Sequence, residues 1–161
     1  MKLTISLVTF NGAEYIRECL GSIRDQTMKD TEVIIVDNAS TDDTVLIARE
    51  MMPSATIIES KKNLGFTGGH NLAIAKSSGD FVIVLNQDST LTPDYCEKLI
   101  SFMEYRWHAG SVTGTILRCD SLTNETKERI MDSQGMFIRK RYFVRLSGEG
   151  EPYNYNEMEP R

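Results

Sequence analysis

Cysteine and histidine are scarce, with three and two copies in 161 residues. Cys19, Cys96 and Cys119 are scattered and odd in number, with no ligand-type spacing. That excludes a disulfide framework and a zinc module, and leaves reduced thiols. His70 and His108 stand alone. No apolar run approaches the roughly 20 residues that a membrane span requires. The opening MKLTISLVTF passes straight into a strand pattern without a signal-peptide cleavage region. The expected location is therefore the cytoplasm, including the inner face of the membrane. An excess of basic residues is also missing: the net charge of −5 argues against a dedicated nucleic-acid binder. Internal repeats and domain linkers are absent.

What is present is ordinary globular composition, 40% hydrophobic and 25% charged, in a length that suits one domain with a sizeable core. Apolar and β-branched runs predict strands over 3–9, 32–36, 55–59 and 81–85, and a fifth over 111–117. Between them, helical spacing predicts helices over 14–24, 44–51, 70–77 and from Pro93 to about His108. Ser40-Thr41-Asp42-Asp43 is a capping-box-like start for the second of these. Alternating strand and helix implies a mainly parallel sheet in a three-layer α/β/α fold with right-handed crossovers. After Arg118 the pattern changes. Met136–Ile138 and Tyr142–Leu146 read as antiparallel strands around the basic turn Arg139-Lys140-Arg141, and 148–161 as an extended, flexible tail. The expected organisation is an α/β domain over 1–118, an antiparallel extension of it over 119–147, and the tail.

The stretch FVIVLNQD, Phe81 to Asp88, organises this pattern. Its apolar run reads as a strand buried on both faces, and it stops abruptly at Asn86-Gln87-Asp88. In an open α/β sheet the carboxyl ends of the strands are where ligands bind. Two more strand ends carry polar residues: Thr9-Phe10-Asn11 and Asp37-Asn38-Ala39-Ser40. Any one of these tips reads equally well as a strand-to-helix turn capped by Asn, Asp or Ser. Three together predict a shared ligand edge. There Asp37 can accept from a pyrimidine N3–H or a ribose hydroxyl, the backbone after Thr9 can bond a base edge, and Phe10 can cover a base or brace its loop.

The loop Asn63-Leu64-Gly65-Phe66-Thr67-Gly68-Gly69 is the second signal, since glycines allow close backbone approach and the following helix offers N–H groups to an anion. It lacks the Gly-Lys-Ser/Thr ending of a Walker loop and the spacing of a dinucleotide fingerprint. Lys61 and Lys62 beside it read equally as phosphate partners or as solvated surface. Asp88 is the candidate ligand for Mg2+ or Mn2+, which are commonly held by one or two carboxylates with phosphate and water completing the shell. Its position alone reads equally as a cap of the turn Asp-Ser-Thr. A nucleotidyltransferase of related topology would want a basic glycine-rich loop where Phe10-Asn11-Gly12 stands.

Taken in order, ISLVTFNGAEYIRECLGSI, EVIIVDNASTDDT, NLGFTGGHNLAI and GDFVIVLNQDSTLTPD resemble a family-2 glycosyltransferase of the GT-A fold, and cover about Leu3 to Tyr95. The forms NLGFTGGHN and Asn-Gln-Asp, with Met131–Gly135 and Gly148–Gly150, are similar to the rhamnosyltransferase-like branch. The resemblance implies inverting transfer from a nucleoside-diphosphate sugar, linked to dTDP or UDP, to a saccharide or lipid-linked acceptor. It places Thr9, Phe10, Asn11, Asp37, Asn38 and Ser40 at the nucleotide and Asn63, Gly65, Gly68 and Gly69 around ribose and diphosphate. Asn86 and Gln87 fall beside the metal ligand Asp88. The sequence departs from the family in two places. Asn86 replaces the first Asp of the metal motif, and no Glu-Asp segment suited to a general base stands between Arg118 and Arg161; Asp132, Glu149, Glu151 and Glu157 sit in the wrong context. A base must reach the acceptor hydroxyl. The expectation is a donor-binding half that binds nucleotide and transfers sugar poorly, with an open edge favouring self-association. The catalytic base is unassigned.

Overall fold

A computed structural model describes residues 3–106 and 108–117, together with the backbone of three short strands at 131–133, 136–138 and 144–146. The chain divides into two compact units, Met1–Ser101 and Phe102–Arg161.

The first unit alternates strand and helix: β1 (Leu3–Thr9), α1 (Ile16–Arg24), β2 (Thr31–Asp37), α2 (Thr44–Met51), β3 (Thr56–Glu59), α3 (Gly65–Ile74) and β4 (Phe81–Asn86), leading into α4 (Tyr95–Tyr105). The four strands form a parallel sheet in the order β3-β2-β1-β4. Alternation along β1 explains the layers. Leu3, Ile5 and Leu7 point to one face and are fully buried with Ile16, Cys19, Leu20 and Ile23 of α1, Ile47 and Ala48 of α2, and Cys96 and Ile100 of α4. The α1 residues recur at i, i+3, i+4 and i+7, a single apolar stripe. Each fully buried aliphatic side chain contributes about 1.5–3 kcal/mol relative to exposure, so this face carries most of the stability.

The opposite face is thinner. Thr4, Ser6 and Val8 alternate with the apolar set, and α3 packs over β1 and β2 through Gly69, His70 and Ala73. Ala73 joins Ile34 and Val36 of β2 in a small second cluster, with Val8, Ile58 and Leu72 against it.

Three expectations are corrected. The strand over Phe81–Leu85 is buried on one face only. Leu85 is covered, but Val84 is 48% exposed, because among the described residues β4 pairs only with β1 and α3 lies over β1 and β2. The third helix begins at Gly65 and not at His70, so most of the glycine loop is helix. Two Asn side chains permit that start: Asn38 Oδ1 accepts the Leu64 N–H at 3.3 Å and Asn63 Oδ1 accepts the Gly65 N–H at 2.7 Å. The fifth strand shrinks to β5 (Ile116–Leu117), which pairs antiparallel with β6 (Met131–Ser133). Gly114 weakens the preceding stretch as a strand, and Ser111, Thr113 and Thr115 make its other side polar, so Val112 has little beside it to pack.

In the second unit, β7 (Met136–Ile138) and β8 (Val144–Leu146, the end of the stretch expected over 142–146) pair antiparallel as expected, and the register sets Phe137 opposite Arg145. The turn at 139–141, the tail at 148–161 and the side chains of Asp132, Glu149, Glu151 and Glu157 lie outside the described residues.

Candidate active site

Register brings the polar strand ends to one level. Thr9 is opposite Asp37 and Val8 is opposite Asn86, so the tips of β1, β2 and β4 share one edge of the sheet. A cleft of about 290 Å³ opens there, lined by Val8, Thr9, Phe10, Asn38, Asn63, Gly65, Phe66, Asn86, Gln87 and Asp88. It joins the start of α3 to the end of β4.

Eight residues proposed from sequence therefore meet in one cleft: Thr9, Phe10, Asn38, Asn63, Gly65, Asn86, Gln87 and Asp88. Asp37 does not line it. The residue is 3% exposed and its carboxylate is used internally. Oδ1 accepts from the hydroxyls of Thr9 at 3.0 Å and Ser40 at 2.5 Å, and Oδ2 accepts the Ser40 N–H at 2.9 Å. Asp37 thus ties the tips of β1 and β2 together and holds the turn through Ala39, which sits at φ 64°. That left-handed conformation costs a non-glycine residue about 1 kcal/mol or more, and the Asp37 bonds offset it.

The loop after β1 is equally committed. The Phe10 N–H donates to Gln87 Oε1, the Asn11 N–H to Ser40 Oγ, the Gly12 N–H to Thr44 Oγ1 and the Ala13 N–H to Asp42 Oδ2, all at 2.8–3.0 Å. Asn11 Oδ1 in turn accepts the Thr41 N–H at 2.9 Å. Side chains of Gln87, Ser40, Thr44 and Asp42 already take each of its N–H groups, so these donors are not open to a base edge as they stand. Asn11 and Ser40 belong to this frame and lie outside the cleft lining.

Gly68 and Gly69 sit within α3. A Cβ on Gly69 would stand 2.8 and 2.9 Å from the γ carbons of Val8, and one on Gly68 would stand 2.9 Å from the Leu64 Cβ. Close packing of α3 on β1, rather than ligand approach, accounts for glycine at position 69. Gly65, at φ 69°, does form the cleft-side turn.

The residues missed from sequence are Val8 and Phe66. Val8 is one apolar residue in an apolar strand and carries no signal. Phe66 had one: a large aromatic among glycines, 58% exposed at the start of a helix. Its ring lies edge-on to His70, with centroids 4.4 Å apart. His70 is buried, its Nδ1 is 2.8 Å from Ser6 Oγ, and its Nε2 has no partner among the described residues. Burial holds its pKa below the ordinary 6.5, so the ring is neutral at neutral pH.

Asp88 differs from its neighbours. It is exposed, and neither its carboxylate nor the Asn86 carboxamide has a hydrogen-bond partner among the described residues. Its charge is felt by α1. It adds to the upward shift of the Tyr15 hydroxyl, where Glu14 is the main cause, and to that of the Cys19 thiol, which burial chiefly pushes up to about 12. Cys96 is pushed to about 11 by burial, so both thiols stay protonated and unreactive. No cluster of three or more His, Cys, Asp or Glu stands anywhere among the described residues. An exposed, unpartnered carboxylate beside a carboxamide suits a hard, oxygen-loving cation that takes most of its shell from phosphate and water, and does not suit zinc.

The family profile described as Glycosyl transferase family 2 matches residues 4–156. The chain is 31% identical over 142 residues to the chondroitin synthase of Escherichia coli, a match covering 87% of this chain and 19% of the relative. It is similar to Staphylococcus aureus TarS, residues 1–349, solved in complex with UDP, at 26% identity and TM-score 0.61, covering 65% of this chain and 32% of that one. It is also similar to the mannosyltransferase PcManGT of Pyrobaculum calidifontis, solved with GDP-Man and Mn2+, at 25% identity and TM-score 0.61, covering 63% and 32%. Matched regions span 16–47% of the length of the curated relatives. The fold is thus GT-A, a Rossmann-like α/β sheet. Among the described residues no helix is long and apolar enough to cross a membrane.

Proposed function

The chain belongs to glycosyl transferase family 2, and from that premise we propose that its cleft binds a nucleoside-diphosphate sugar for metal-assisted, inverting transfer to a saccharide or lipid-linked acceptor. One observation carries the reading: a single cleft joins Asn63, Gly65 and Phe66 at the start of α3 to Asn86 and Asp88 at the end of β4. Asp88, with Asn86 beside it, would hold Mg2+ or Mn2+. When bound, such an ion supplies positive charge against the diphosphate. Asn38 and Asn63 already orient the first turn of α3, whose leading N–H groups favour an anion nearby. Phe10 and Phe66 offer apolar surface to a base or sugar ring, and the donor read from the motif forms is rhamnose linked to dTDP, with UDP-sugars next.

A second reading, a catalytically silent nucleotide-sugar-binding module, is favoured by one feature. Asp88 is the only carboxylate lining the cleft, so no general base stands there among the described residues.

Calorimetric titration with UDP and dTDP, with and without Mn2+, tests both. Binding strengthened roughly tenfold or more by Mn2+, and losing that dependence in Asp88→Ala, is expected. Metal-dependent binding that persists in Asp88→Ala would reject the metal assignment, and no binding by any diphosphonucleoside would reject the reading. Donor hydrolysis or transfer then separates the enzyme from the silent module.

A further inference from the structure

Gln87 lies between the two residues of the β4 tip whose side chains face the cleft without hydrogen-bond partners among the described residues, but both polar atoms of its own carboxamide are bonded. Oε1 accepts the Phe10 N–H at 2.9 Å, and Nε2 donates to the Phe10 carbonyl at 3.1 Å. The ladder between β1 and β4 ends at Val8 opposite Asn86. The carboxamide continues it by one step, presenting to Phe10 the acceptor and donor that a peptide group would present. Among side chains only Gln and Asn carry the peptide-like carboxamide that offers both side by side, and Asn is a methylene shorter.

Gly12 is shaped to this clasp. A Cβ there would stand 2.2 Å from Gln87 Oε1, 2.5 Å from its Cδ and 2.9 Å from its Nε2. Gly12 is not in the left-handed region, so backbone conformation does not require glycine. Nor is it free to shift: its N–H is bound by Thr44 Oγ1 at 2.8 Å and its carbonyl accepts from Tyr15 and Ile16. The space that glycine leaves is the space the Gln87 carboxamide fills.

We propose that Gln87 is a positioning residue that locks the Phe10 wall of the cleft to the Asp88 turn. Resting on the donor-binding reading above, this means the nucleoside end and the metal–diphosphate end of the site are held at one spacing. A ligand spanning both ends gains from the clasp. A fragment occupying one end does not.

The test uses the full chain and three probes: UDP with Mn2+, uridine alone, and pyrophosphate with Mn2+, each titrated by calorimetry or NMR. Gln87→Ala is expected to weaken UDP binding roughly tenfold and to leave uridine and pyrophosphate within about twofold. Gly12→Ala, which displaces the carboxamide, should match that loss, and in the Gln87→Ala background it should add less than about twofold. Unchanged UDP affinity in Gln87→Ala, additive losses, or a fall in either fragment's affinity, the mark of direct ligand contact, would each overturn the proposal. If wild-type protein binds none of the probes, the donor-binding reading fails separately. The clasp then still stands or falls on urea unfolding, where Gly12→Ala must destabilise the wild type and not the Gln87→Ala background.

Discussion

At the tips of β1 and β2, the Asp37 carboxylate and the four N–H groups of Phe10–Ala13 are all bound by other parts of the chain. At the tip of β4, the side chains of Asn86 and Asp88 stand exposed in the same cleft with no such partners among the described residues. All three tips carry the polar composition of a strand-end turn, and the difference lies in where the oxygens are spent. Those of β1 and β2 form a frame complete without ligand; that of β4 keeps its charge available. The buried Asp37 carboxylate must be satisfied internally and so becomes structural, whereas an exposed carboxylate hydrated by water can exchange that water for a cation.

The sharpest way to break this contrast is Asp37→Ala. It strips partners from the buried Thr9 hydroxyl and from the N–H and hydroxyl of Ser40. The expected loss is about 2–4 kcal/mol in urea unfolding, with weaker nucleotide binding following from a loosened frame. A loss under about 0.5 kcal/mol, with nucleotide affinity still reduced, would return Asp37 to direct ligand contact.

Gly69→Ala probes the frame from the other side. Its methyl would collide with Val8, whose β-branched side chain has little rotamer freedom, so α3 must lift from the sheet. We expect about 1–3 kcal/mol of destabilisation. Gly21, whose added Cβ would meet nothing within 4 Å, is the control: Gly21→Ala should be neutral or stabilising by up to about 1 kcal/mol.

These two positions show what could be read from the chain alone. The parallel α/β order, the start of α2 after Ser-Thr-Asp-Asp and the hairpin strands β7 and β8 follow from local periodicity and turn chemistry, and they hold. The convergence of the three tips follows from the sheet topology and also holds. What was not legible depends on partners far along the chain. Nothing local reveals that Asp37 spends its oxygens on Thr9 and Ser40, that Gly69 makes room for Val8, or that Gln87 occupies the space beside Gly12. The glycine run reads as loop because glycine disfavours helix, whereas at Gly69 the close approach of α3 to Val8 of β1 requires it within the helix.

A gentler effect comes from pH. Burial holds the His70 pKa below 6.5 in the folded chain, so the unfolded chain takes up the proton first. The contribution of His70 is therefore complete above pH 6.5, shrinks as pH falls from there toward the lowered folded value, and stops changing below it. Urea unfolding of wild type and His70→Gln between neutral and mildly acidic pH should show a wild-type advantage that narrows as pH falls. An advantage that widens would mean that His70 is protonated in the fold.

Asp88→Ala is the smallest expected effect on folding and the one on which the contrast turns. The side chain is exposed and accepts no hydrogen bond among the described residues; its influence on Tyr15 and Cys19 is Coulombic. Removing it should change stability by less than about 0.5 kcal/mol, or stabilise slightly by relieving repulsion among the acidic groups near Tyr15. The same substitution should abolish the Mn2+ enhancement of UDP binding. A residue that is silent in unfolding and decisive in metal-dependent binding is one whose charge faces the ligand. Destabilisation of Asp88→Ala by as much as Asp37→Ala would instead make the β4 tip a second frame, and the cation would then lack a carboxylate ligand in this cleft.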